Sequence, residues 1–376
     1  MKKYFLSVLF CFTLIGSMLF SAGSKEEVTI GVTLPFTGPL AFSGQQTAQG
    51  MQIAADEINA AGGILGKKLK LDLQDDKGDA TEGANTYQLL KGKGVPIIIG
   101  SGTSGVTAGM AAKADADKVP LLTPSATADM LTEGKQFVFR ACFVDSYQGK
   151  IVAKFAAENL KAKKAAVLYC SADEYSLGLY ESFNIACKEF GLQIVGKETS
   201  PTMNDVDFSP QLAKIRESGA EVLFVPYSYG TAALIVVQAR EAGFTGPIIG
   251  ADGWDSIDNK VEDNVAAFEN CYYTNPYSTE DPDPSVQNFV KKYSSRYGSE
   301  TLTSAGALGY DCLYMAAQAM KEAGTTTDRE KVAAALRNMK FSGTTGSFTL
   351  KDGNPQKSVV VMQIKSGKAR WATTVK

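Results

Sequence analysis

Along residues 28–34, apolar Val28, Ile30, Val32 and Leu34 alternate with Thr29, Gly31 and Thr33, until Thr37, Gly38 and Pro39 break the run. A period of two buries one face of a strand, and the Gly-Pro pair sets a turn behind it. The period then lengthens. Met51, Ala54, Ala55 and Ile58 fall on one face of a helix that Gly62 and Gly63 stop. Further strands are predicted at 69–73, 95–99 and 119–122, with polar helical stretches between them. The order restarts at 165–169. It continues with a helix over 180–190, a strand at 192–195 and a helix carrying Phe208, Leu212 and Ile215, then a strand at 222–225, a helix over 231–242 and a strand at 247–250. Two helical stretches over 301–336 and a last strand at 359–364 must dock onto units begun earlier, so the chain crosses between units more than once. Alternating strands and helices predict an α/β fold with mostly parallel sheets. The repeat of that pattern predicts two doubly wound lobes with a ligand cleft between them, beyond the carboxyl ends of the strands.

Composition narrows the chemistry. The 376 residues are 44% hydrophobic and 21% charged, a globular balance, and too long for one compact domain. The chain contains no histidine, which removes the usual general base and the commonest metal ligand. Ser-His-Asp, Cys-His and His-zinc chemistry are thereby excluded, and a binding protein without catalytic residue, metal or cofactor is expected. A hydrolase built on paired carboxylates such as Asp75 and Asp76 is the enzymatic alternative. With 38 basic and 40 acidic residues there is no positive field for phosphates, which argues against nucleic acid as a partner.

Lys2 and Lys3 precede an uncharged, mostly apolar run over 4–20 and the small residues Ser21, Ala22 and Gly23. This is the pattern of a secretory signal over 1–23, the alternative being a single membrane anchor. Beyond it lie Cys142, Cys170, Cys187, Cys271 and Cys312, without CxxC spacing. Cys170 and Cys187 either pair in an oxidising compartment or stay buried as free thiols.

Residues 100–105 read Gly-Ser-Gly-Thr-Ser-Gly, a literal GxGxxG between a strand and a helix. It follows the third strand instead of the first, and no acidic residue ends the next strand, so it fails as a dinucleotide fingerprint. Its physical property survives: small residues let helix-start N–H groups approach an anion, and Thr103 and Ser104 add hydroxyls. A second strand end, Thr123 to Thr127, offers more hydroxyls, with capping and ligand contact equally open for Ser104 and Thr127. Later strand ends present Tyr175, then Tyr227 and Tyr229, then Asp252, with Trp254 either covering the site or packing at the lobe surface. One anion and two or three phenols opposite a hydroxyl-rich lobe suit a small zwitterion.

The chain resembles the periplasmic branched-chain amino acid binding proteins, type I receptors of ATP-driven importers, over nearly all of its length after residue 23. The resemblance is carried by Ile30-Gly31-Val32 with Thr37-Gly38-Pro39, ADEINAAGG over 55–63, residues 99–104, Pro124 to Thr127, Asp207-Phe208-Ser209, residues 238–243 and residues 341–353. It implies a monomeric, exported periplasmic receptor whose lobes, 24–144 plus 275–352 and 145–274 plus 353–376, close over an amino acid for a membrane permease. An exported sensory domain presenting an amino acid, amide or small carboxylate to a signalling receptor is the alternative. By that resemblance the ligand site comprises Thr103, Ser104, Ser125, Ala126, Thr127, Tyr175, Tyr229 and Asp252. Ser104 and Thr127 would take the carboxylate through hydroxyl and backbone N–H groups. The Ser125 carbonyl and Asp252 would take the ammonium, and Tyr175 and Tyr229, or Tyr227 in its place, would close from the second lobe. Three departures bear on specificity. Ser43 stands where leucine-binding members place an aromatic residue, which widens the pocket or makes it polar unless Phe42 turns inward. Asp252 replaces a longer Glu, and Gly78 and Thr103 replace the cysteines of the first-lobe disulfide.

Overall fold

The computed structural model describes residues 26–261, 264–299 and 302–375, so the signal expected over 1–23 lies outside the described residues. Among the described residues no helix is long and apolar enough to cross a membrane.

The first lobe is built on β1 (Glu27–Leu34), β2 (Lys68–Asp75), β3 (Ile98–Gly100), β4 (Leu121–Thr123) and β5 (Val138–Arg140). They form a parallel sheet in the order β2-β1-β3-β4-β5. The crossovers are α1 (Ala41–Ala60), α2 (Ala80–Gly92) and α3 (Ser104–Ala116). Ile30, Val32 and Leu34 of β1 are fully buried, because helices cover the sheet on both faces.

The chain then enters a second lobe through α4 (Asp145–Lys154), followed by β6 (Lys164–Cys170), α5 (Glu174–Glu189), β7 (Gln193–Ser200) and α6 (Ser209–Glu217). Next come β8 (Val222–Phe224), α7 (Tyr229–Glu241), β9 (Ile248–Gly250), α8 (Val265–Phe268) and β10 (Cys271–Asn275). It returns to the first lobe for α9 (Pro284–Tyr297), α10 (Ser304–Ala323), α11 (Arg329–Arg337) and the antiparallel strands β11 (Lys340–Gly343), β12 (Gly346–Lys351) and β13 (Asn354–Pro355). Finally β14 (Val359–Lys365) and β15 (Lys368–Val375) complete a second sheet ordered β15-β14-β10-β9-β8-β6-β7. The chain thus passes three times between the sheets, and the pairing of β13 with β12 puts the third passage after Pro355, slightly later than residue 352.

The α/β alternation read from the sequence is what folds, with ends set by local chemistry. The helix expected from 180 starts at Glu174, because the Asp173 carboxylate accepts from the Ser176 N–H and caps it. The strand expected at 192–195 runs on to Ser200, since β7 lies at the sheet edge, where polar side chains face water. β5, β11 and β13 are too short to show a period, and in β12 and β15, where burial does alternate, few large apolar side chains mark the inner face.

Helices α1 and α10 cross closely in the first lobe. A Cβ at Gly50 would lie 1.9 Å from the Gly306 carbonyl oxygen, and one at Gly309 would lie 2.2 Å from that of Thr47. Glycine at these points lets the two backbones approach.

Candidate functional site

Loops at the carboxyl ends of strands from both sheets converge on a cavity of about 700 Å³. Thr103, Ser104 and Ser125 line it from the first lobe, and Tyr175, Tyr229 and Asp252 from the second.

The first-lobe wall is organised by Ser104 at the start of α3. Its Oγ accepts from the N–H groups of Thr127 at 3.2 Å and Ala128 at 3.1 Å. With its lone pairs so engaged, the hydroxyl proton is the part left to donate elsewhere. The Ser125 hydroxyl donates to the Gly102 carbonyl at 2.9 Å, joining the two loops. Beneath them the buried Arg140 donates to the carbonyls of Ala126 at 3.0 Å and Ala128 at 2.8 Å. Thr103 occupies the N-cap position of α3, yet its hydroxyl makes no capping bond and is buried without a partner.

Ala126 and Thr127 stand behind this wall instead of on it. Both are fully buried; the Ala126 N–H donates to Thr123 Oγ1 at 3.0 Å, and the Thr127 N–H is the one given to Ser104. The backbone N–H expected of Thr127 at a ligand is therefore given to Ser104, while its hydroxyl, like that of Thr103, is buried without a hydrogen-bond partner.

The second-lobe wall centres on Asp252, in a short turn following β9. Its Oδ1 accepts from Gln148 Nε2 at 2.9 Å and from the Tyr175 hydroxyl at 3.0 Å. That hydroxyl in turn accepts from the Gly253 N–H at 2.8 Å. Burial pushes the Asp252 carboxyl up to about 6, although the donors of Gln148 and Tyr175 favour the ionised form. Burial, with the field of Asp252 behind it, holds Asp145 well above the usual carboxylate range.

The structure separates the two tyrosines after β8. Tyr229 lies on the cavity wall, and its hydroxyl reaches across to donate to the Pro39 carbonyl at 3.1 Å, so the lobes touch there. Tyr227 is fully buried in the second-lobe core, its hydroxyl 2.7 Å from Ser200 Oγ. Trp254 is also fully buried and donates from Nε1 to the Val225 carbonyl at 2.9 Å, so it neither covers the site nor packs at the lobe surface but lies beneath the site in the second-lobe core. A second contact between lobes joins Asp255 to α10, whose Ser304 N–H and hydroxyl reach Asp255 Oδ2 at 2.6 Å and 2.5 Å. Burial raises Asp255 to about 6 as well.

Ser43 lines the cavity, whereas Phe42 packs against the second-lobe core. Gln148, Asp255 and Ser304 escaped the sequence reading, since no motif marks them. The GxGxxG segment has a packing role: Gly100 sits at φ +136°, and a Cβ there would be 1.9 Å from the Thr33 carbonyl oxygen. The paired carboxylates also serve loops. Asp75 accepts from the Phe36 and Thr37 N–H groups, and Asp76 from the Thr33 hydroxyl and Gly78 N–H. Cys142, Cys170, Cys187, Cys271 and Cys312 are free and buried, so Cys170 and Cys187 do not pair. No group of three metal-ligating side chains occurs among the described residues.

A two-lobed cleft with this strand order can be set against known proteins. The family model described as periplasmic binding protein matches residues 27–369. The chain belongs to the periplasmic binding protein family. Members bind solutes and do not transform them. This periplasmic binding protein is 29% identical over 322 residues to Leu/Ile/Val-binding protein homolog 3 of Brucella melitensis, covering 85% of this chain and 86% of that one. Its structure is similar to that of the leucine-binding protein LivK from Thermotoga maritima, with a TM-score of 0.87, 34% identity and coverage of 93% and 98%. It is also similar to LivJ of Streptococcus pneumoniae, a branched-chain amino acid transporter substrate-binding protein solved with isoleucine, with a TM-score of 0.86, 33% identity and coverage of 93% and 99%.

Proposed function

We propose that this periplasmic binding protein captures a free α-amino acid, with an aliphatic side chain as first choice, and delivers it in the periplasm to the membrane permease of an ABC importer. The observation that carries this reading is the polarity of the cavity. A helix start with free hydroxyl donors faces a buried carboxylate across one small space, matching the two ends of a zwitterion. The carboxylate sits at the start of α3, taking the proton of Ser104 and the hydroxyl of Thr103. The ammonium sits between the Ser125 carbonyl and Asp252 Oδ2. Tyr175 and Tyr229 close over it from the second lobe. Leu34, Leu40, Met203 and Leu308 line the same cavity and suit an aliphatic side chain, while Ser43 leaves room beside it. The names of the Brucella, Thermotoga and Streptococcus relatives support the same ligand class.

Capture follows from geometry. Only a closed cleft makes both sets of contacts, so the ligand shifts the open-to-closed equilibrium by the contacts it gains from the second lobe. We take the lobes to be 26–144 plus 276–355 and 145–275 plus 356–375, acting as a monomer that turns about the three passages.

Titration calorimetry with L-leucine, L-isoleucine and L-valine is the test. Saturable binding at one site per chain is expected with at least one, and no heat and no thermal shift with all three overturns the proposal. Binding should also depend on pH. With its carboxyl at about 6, Asp252 is ionised above that pH and protonated below it. An ammonium binds the ionised form, so affinity is full above about pH 7 and falls by about tenfold for each pH unit below 6. Asp255 titrates in the same range. The loss is assigned to Asp252 if Asp252→Asn abolishes the slope, and a slope that survives that change removes Asp252 from the role.

A further inference from the structure

The Asp252 carboxylate is held from behind by a residue that does not reach the cavity. Gln148, fully buried in the first turn of α4, donates from Nε2 to Asp252 Oδ1 at 2.9 Å. Its Oε1 accepts from the Asp252 N–H at 2.8 Å and from the Thr274 hydroxyl at 2.5 Å. The orientation of the amide is fixed by chemistry. A backbone N–H can only donate, so Oε1 must face it and Nε2 must face the carboxylate. With Tyr175 also on Oδ1, that oxygen is saturated by two donors, and Oδ2 remains for the cavity. The position of Gln148 in the chain matters as much. It lies just past the first passage between lobes, and Thr274 lies just before the second, in β10.

We infer that Gln148 is a positioning residue that selects the Asp252 oxygen presented to the ligand ammonium and ties it to two of the passages about which the lobes turn. The inference rests on the ammonium assignment made above. A ligand held by Oδ2 pulls, through Oδ1 and Gln148, on the start of α4 and the end of β10 together, so the same amide serves recognition and closure. The groups that face Asp252 are Asp145 on α4, Tyr175 on α5, Cys142 beyond β5 and Asp255 on its own turn. None of these four is cationic. The donors of Gln148 and Tyr175 are therefore the side-chain groups that favour the ionised carboxylate against burial.

The test is a carbon-13 carboxyl NMR titration of the ligand-free full chain labelled at aspartate Cγ, with the Asp252 signal assigned by its loss in Asp252→Asn. In the wild type the Asp252 midpoint is expected at about 6. Gln148→Met should raise it by roughly one pH unit, since a donor to the charged form is lost. Thr274→Val, nearly isosteric, should move it the same way by less, because only the orientation of the amide is released. L-leucine affinity at pH 7 should fall by about tenfold in Gln148→Met, as one charge-assisted bond is worth that much. A role in packing alone would lower the melting temperature and leave the midpoint in place, so an unmoved midpoint in folded Gln148→Met overturns the inference. If that variant does not fold, Thr274→Val decides by the same criterion. Should the midpoints move while Asp252→Ala binds L-leucine as the wild type does, the ammonium assignment fails and the inference falls with it, by a different result.

Discussion

Asp252→Ala is expected to weaken L-leucine binding by about 100-fold, near 3 kcal/mol, because truncating one partner of a buried charge pair leaves the other without an anion. The ammonium would retain only the Ser125 carbonyl in a space from which the closing lobes exclude water. Asp252→Asn should do no better. Gln148 and Tyr175 both donate to Oδ1, so an asparagine must turn its own oxygen toward them and its NH₂ group toward the cavity. Two sets of donors would then face one another where donor and acceptor met before. Calorimetry at pH 7.5 decides it. Asparagine binding within threefold of wild type would show that Oδ1 is not the oxygen held by the protein, and alanine binding at wild-type affinity would remove Asp252 from the site.

The fold was readable where burial imposes a period. In β1 every second residue is apolar and fully or nearly fully buried, and α1 carries Met51, Ala54, Ala55 and Ile58 on its buried face. Ends of elements were less readable, since they depend on single hydrogen bonds such as the Asp173 cap of α5. At the site, residues at strand ends could be found because the topology of an open α/β sheet points there. Ser104, Ser125, Tyr175 and Asp252 all follow that rule and all line the cavity. Tyr227 and Tyr229 stand in the same loop with the same chemistry, and only the partner of each hydroxyl, Ser200 in one case and Pro39 in the other, separates core from wall. Gln148 follows no strand of the first or second sheet directly and sits inside a polar helical stretch. What marks it is its place behind Asp252, a tertiary fact that no local pattern encodes.

The packing of the first lobe bears on the site through α1 and α10, whose opening turns both supply cavity wall: Ser43, Gly44 and Thr47 from one, Ser304, Ala305 and Leu308 from the other. Gly50→Ala is expected to destabilise the protein by about 3 kcal/mol, at the upper end for added core volume. The reason is the partner. The new Cβ would stand 1.9 Å from the Gly306 carbonyl oxygen and 3.1 Å from the Tyr310 backbone nitrogen, and backbone cannot rotate aside as a side chain does. Relief requires the helices to separate along the crossing that Gly309 shares, where a Cβ would meet the Thr47 carbonyl oxygen at 2.2 Å. Separation would draw Ser304 away from Asp255, 2.6 Å from its N–H, and loosen the contact between lobes beside the ligand. Gly50→Ala should therefore lose amino-acid affinity along with stability, although residue 50 touches no ligand. Gly92→Ala is the control: it lies at the exposed end of α2 with nothing within 4 Å of a new Cβ, so it should be neutral or stabilising by up to about 1 kcal/mol. Chemical denaturation of the three proteins measures the difference, and a Gly50→Ala variant within about 0.5 kcal/mol of wild type would mean that α1 and α10 do not hold this crossing in solution.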